Sequence, residues 1–175
     1  MSIYHPPTFI NDYLIEKTAE FNSGDGVPFF PTSPTSIDDL TETFPLSSTT
    51  FCVYDRMLKM RKSPFPHIKC EQLMYYFYAK GSNAIENVIN VTQKIQDLLD
   101  YEDESAEDLN KWIRSKLTTV NGEKVYVKAG KTFSPVYFHR LKIYQLQETR
   151  DIIDFGTART YAGNKIIIDY DWHKS

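Results

Sequence analysis

The sequence predicts an α+β fold: one mainly antiparallel sheet, two or three helices packed on one face, and extended proline-rich segments near the N-terminus. Three observations carry this. Two capped helical periods lie in the middle of the chain, from about Asn83 to Leu99 and from about Ser105 to Leu117. The last third alternates as strands do, most clearly in "KIIIDYDWHK". The stretch holding Pro28, Pro31, Pro34 and Pro45 is too proline-dense for a central strand or long helix, which leaves extended segments beside one sheet and its helices. The 175 residues suit a single domain.

In chain order, residues 1–7 read as an extended arm ending in Pro6-Pro7. Thr8 is placed to cap a first helix over residues 8–22, with Phe9, Ile10, Tyr13, Leu14 and Phe21 on one stripe. Residues 24–49 form a proline-rich loop or arm, because Pro28, Pro31, Pro34 and Pro45 forbid a central strand or a long helix. Within it, Ser36 and Asp39 could cap a single turn, and Phe29 and Phe30 are too apolar for a solvated linker. They must pack on this domain or on a neighbour.

Residues 50–175 then supply the core. Thr50–Asp55 reads as a short strand and Cys70–Tyr78 as a longer one. Asn83 with Glu86 offers a capping box for a helix that places Ile85, Val88, Ile89, Ile95, Leu98 and Leu99 on one face. Ser105 with Asp108 repeats the signature ahead of Leu109, Trp112, Ile113 and Leu117. Asn121-Gly122 turns the chain into a strand at Glu123–Lys128, and Val136–Gln147 is long enough for an extended strand. Ala162-Gly163-Asn164 turns into the last strand, whose Ile166, Ile168, Tyr170 and Trp172 share a core face. Its Ile167, Asp169, Asp171 and His173 share a wet one.

Composition narrows the function classes. A net charge of −3 argues against a dedicated duplex-DNA binder. Tyr 12 and Phe 11 suit a sheet core or a protein interface. Two cysteines, Cys52 and Cys70, form no disulfide framework and fit a reducing compartment. No apolar run reaches the ~18 residues of a membrane span. The opening "MSIYHPPTFINDYL" lacks the basic-then-apolar pattern of a signal peptide. There is no phosphate-cradling glycine loop, no His-Glu-x-x-His and no nucleophile elbow, so neither an enzyme nor a cofactor is expected.

Two patterns imitate sites. His67 and Cys70 have ligand spacing, but a zinc site needs about four ligands, Cys52 is single, and His139 and His173 are distant in the chain. The acidic run from Asp97 to Asp108 lacks the alternation and glycine of a calcium loop. It reads as a solvated connection between helices whose acids favour the second helix's N-terminus.

Charge remains the informative feature. Arg56, Lys59, Arg61 and Lys62 form a basic stretch read as a loop, while Asp100, Glu102, Asp103 and Glu104 sit in the acidic run. Opposite charges on one chain can match head to tail between subunits, and such contacts close into rings or continue as filaments. The proline-rich arms could wrap a neighbour, with Phe29 and Phe30 as anchors, and the alternating C-terminal strand could extend a sheet across a boundary. The other reading of the basic loop is a nucleic-acid contact with a steep salt dependence.

The stretches "FFPTSPTSIDDLTETFP", "YDRMLKMRKSPFPHIKCEQLMYYFYA" and "YEDESAEDLNKW" resemble small structural proteins of contractile-tailed bacteriophages. The order of elements is similar to that of the tail terminator (head-tail joining) family. The resemblance implies a sheet flanked by helices and a hexameric ring on the end of the tail tube. It also implies a virion location after assembly in the host cytoplasm, contacts with tube, sheath or neck proteins, and no bond chemistry. This chain has a longer proline-rich segment and an additional second helix, so another tail or baseplate subunit stands as the alternative.

Overall fold

A computed structural model describes residues 2–21, 27, 29–30, 50–61, 63–80, 83–154 and 160–175. The expected turn at Ser36–Asp39, the rest of the proline-rich segment apart from residues 27 and 29–30, and Lys62 lie outside them.

The main sheet has the order β1-β2-β3-β8-β7, built from β1 (Phe29–Phe30), β2 (Thr50–Arg61), β3 (Lys69–Lys80), β7 (Val136–Asp154) and β8 (Thr160–Lys174). Every pairing is antiparallel except β1 on β2. A smaller meander, β4 (Thr118–Val120), β5 (Glu123–Lys128) and β6 (Lys131–Phe133), stands beside it. Helices α1 (Pro6–Lys17), α2 (Ala84–Leu98) and α3 (Glu102–Lys116) complete an α+β fold. The core lies between helices and sheet, where Phe9, Leu14, Ile95 and Leu109 meet Leu73, Tyr75, Phe77, Phe138, Ile166, Ile168 and Tyr170.

Several local expectations shift, each for a physical reason. The first helix begins at Pro6, not Thr8, because proline presets the helical φ and the first turn needs no N–H from it. Thr8 instead bonds the His5 ring. The arm folds back on its own domain: Ile3 bridges Phe133, with its N–H donating to the Thr132 carbonyl and its carbonyl accepting from Ser134. Helix α3 begins at Glu102, three residues before the expected cap. Ser105 is buried inside it and donates to the Leu98 carbonyl, closing the C-terminus of α2 rather than the N-terminus of α3. Neither α2 nor α3 has a side-chain cap. The buried face of α2 runs through Ala84, Val88, Val91, Thr92 and Ile95, leaving Ile85 and Ile89 exposed.

Strand β8 is an inner strand, so it has no free edge to offer a neighbour. Its second face is not wet: Ile167 and Asp169 are buried. Ala162-Gly163-Asn164 is strand rather than turn. Gly163 suits it because a Cβ there would stand 3.1 Å from the Tyr78 ring, which covers the bare backbone. The meander is set by two tight turns with positive φ at both central residues, Asn121-Gly122 and Ala129-Gly130.

Candidate functional site

The basic stretch of the sequence is a strand, not a loop. Arg56, Lys59 and Arg61 all belong to β2, with Arg56 opposite Met74 and Arg61 opposite Cys70. Phe29 and Phe30 form β1, paired in parallel with Cys52 and Val53.

The acidic run forms the corner between α2 and α3. Glu102, Asp103 and Glu104 occupy the first turn of α3, where the helix dipole favours them. Asp100, Asp103 and Glu104 are exposed, and Tyr101 among them is 68% exposed. Glu102 is turned inward. It lies 3.7 Å from Arg140 and 3.4 Å from Lys142 on β7.

Arg140 is the centre of this network, bonding Asp169 at 2.7 Å and Asp171 at 3.1 Å. It reaches both because of a bulge between Phe138 and Arg140, which inserts one residue into β7. Strict alternation from Tyr137 would send Arg140 to the opposite face. The bulge turns it toward the acids of β8, and the pairing explains why Asp169 is tolerated in a buried position.

A histidine pair stands beside the bulge. His139 Nε2 and His173 Nδ1 are 2.6 Å apart, and the His67 ring lies 6.1 Å from that of His173. The sequence reading kept these three apart; the sheet brings them to one end. Burial and the neighbouring His173 hold the His139 pKa below its usual value, against the opposing pull of Asp171. Among the described residues no group of three or more His, Cys, Asp or Glu is arranged to hold a metal ion. Cys70, the other half of the spacing motif, is a buried strand residue.

A second basic surface escaped the sequence reading. From Arg114 to Lys131 the chain carries Arg114, Lys116, Lys124, Lys128 and Lys131 against the acid Glu123. Lys116 pairs with Glu16 at 2.8 Å and Lys128 with Asp12. The Glu16 carboxyl is held below its ordinary pKa, chiefly by the Lys116 hydrogen bond. Among the described residues Arg114, Lys124 and Lys131 form no ion pair. The two turns, Asn121-Gly122 and Ala129-Gly130, were the signal that these scattered cations would be folded onto one side.

Asn110 locks α3 to the sheet beside this surface. Its amide donates to the Phe138 carbonyl at 2.8 Å and its oxygen accepts from the Phe138 N–H at 2.9 Å. A buried side chain thereby supplies the ladder partner that an edge strand lacks.

These elements make up an α+β protein. No protein-family profile matches the chain, and no curated protein does. Among the described residues no helix is long and apolar enough to cross a membrane.

Proposed function

We propose that the chain is a non-enzymatic structural subunit of a contractile-tailed phage virion, a tail terminator or head-tail joining protein. It acts by forming a ring, expected to be a hexamer, that caps the tail tube and offers its other face to the neck. The observation that supports this reading most is the separation of charge. The acidic corner packs against β7, while the strand carrying Arg56, Lys59 and Arg61 lies beyond β8 and β3. Three strand spacings of about 4.8 Å put the two strands ~14 Å apart. Segments of opposite sign set on different strands favour heterologous contacts, which close a ring when the rotation allows.

The mechanism is geometric. A ring whose one face matches the tube and whose other face does not will stop polymer growth without breaking a bond. Sedimentation of the purified chain, with electron microscopy of tubes assembled in its presence, tests this. The expected result is a ring in solution and density at one tube end. A monomer at all concentrations that leaves tube length unchanged would sink the reading.

A further inference from the structure

We infer that a groove between α3 and the meander is the seat for the acidic corner of a second copy of this chain, with Tyr101 as the inserted anchor. The inference rests on the ring reading above and names its subunit contact.

The groove has a volume of about 260 Å³. Its floor is apolar, formed by Ile113, Leu117 and Val136, with Tyr137 at one side. Arg114 and Lys124 stand at its border, and both are exposed. This is the composition of an interface hot spot: an apolar pocket that shields an aromatic from water, bordered by charges that fix the approach.

The acidic corner has the complementary form. Tyr101 projects at 68% exposure, flanked by exposed Asp100, Asp103 and Glu104. A tyrosine held out among carboxylates at the tight junction of two helices loses little conformational entropy when it docks. Its acids would face Arg114 and Lys124 while the ring fills the floor. Glu102 takes no part, because Arg140 and Lys142 already hold it.

The two surfaces cannot meet within one molecule. The corner precedes α3, and the groove borders the C-terminal half of the same 15-residue helix, so a rigid span of about 15–20 Å separates them. The occupant must come from another copy, and the contact is head to tail. Since α3 joins corner and groove, each subunit passes the same displacement to the next, as a closed ring requires.

The experiment uses three full-length variants and sedimentation equilibrium, with thermal melts to show that each is folded. Tyr101→Ala should raise the concentration for half-assembly roughly tenfold or more. Arg114→Glu/Lys124→Glu removes the seat, and Asp100→Lys/Glu104→Lys removes the plug, so each should stop growth alone. Mixing the two doubles pairs an intact corner with an intact groove and a reversed corner with a reversed groove, so the mixture should recover the assembly that neither double shows alone. Assembly of either double at wild-type concentration would overturn the assignment while leaving the ring reading intact. So would a mixture of the two doubles that fails to assemble. A wild-type chain that never assembles would overturn both.

Discussion

Two regions of this protein are basic, and they differ in how the charge is built. Strand β2 carries Arg56, Lys59 and Arg61 within six residues of sequence. The α3–meander surface takes Arg114 from a helix, Lys124 from β5 and Lys131 from β6, and is assembled only when two tight turns fold the chain back. The first is visible as a run of letters; the second is visible only in three dimensions. A contiguous run in a strand sends alternate side chains to opposite faces, so proximity in sequence divides a charge as readily as it concentrates it. Residues from separate elements that share one side concentrate charge on a single surface.

The largest expected effect comes from a cation that the fold itself uses. Replacing Arg140 with Ala removes the guanidinium from Asp169, whose side chain is almost fully buried, and from Asp171. A loss of about 3 kcal/mol is expected in denaturant unfolding, because breaking a buried pair leaves a charge uncompensated. The effect should reach assembly through the α3 side, since Arg140 also reaches Glu102 at the head of that helix. An Arg140→Ala variant as stable as wild type would show that the acids are held by other means.

Asn110→Ala is the next test, expected to cost about 2 kcal/mol. Two buried backbone groups of Phe138 lose their partner at once. The same change should loosen the wall of the groove and weaken assembly beyond what lost stability explains. Asn110→Asp keeps the acceptor but loses the donor to the Phe138 carbonyl, and should recover neither in full.

Acid pH supplies a graded perturbation. Burial lowers the pKa of both His139 and His5 from 6.5, so the unfolded chain binds protons more readily than the folded one. Stability is therefore unaffected by these groups well above pH 6.5 and falls as pH drops below it, until the folded-state pKa values are passed. His139 is opposed by His173 and His67 and favoured by Asp171. His139→Asn should flatten the decline of melting temperature between pH 7 and 5, leaving the portion due to His5. Glu16 has the opposite sign of charge and the same direction: its stabilisation is present above pH 4.5 and is lost as pH falls through its depressed pKa.

How much of this was legible in the sequence follows from which forces are local. The apolar periods of α1, α3 and β8 named their buried faces correctly at Phe9, Leu14, Leu109, Ile113, Ile166 and Ile168. The caps misled, because Ser105 finds a better acceptor in the preceding helix than in its own first turn, and only the α2–α3 packing decides that. The histidine pair depends on the pairing of β7 with β8, and the Arg140 network on a one-residue bulge. Nothing in "SPVYFHRLK" marks the extra residue, yet it sets which side chains share a face. The basic loop was read from charge density, while alternation of Tyr54, Met57 and Met60 was too irregular to announce a twelve-residue strand, itself interrupted by shifts of register.

The smallest expected effect belongs to the region that the sequence made most conspicuous. Arg61→Glu with Lys62→Glu is the direct counterpart of the groove double, equal in charge change and applied to the last residue of β2 and the next residue in sequence. If charge run alone decided the contact, this variant would disrupt assembly as strongly as Arg114→Glu/Lys124→Glu, and reversal of Glu102 and Asp103 would rescue it in part. Register argues otherwise. Arg61 closes its strand opposite Cys70, three strands away from the edge where the acidic corner stands. Charge without a desolvated anchor changes the rate of approach and its salt dependence more than the final affinity. The β2 double is therefore expected to slow association at low salt, with a change of threefold or less in the concentration for half-assembly. A tenfold shift, equal to that of the groove variant, would move the subunit contact to β2.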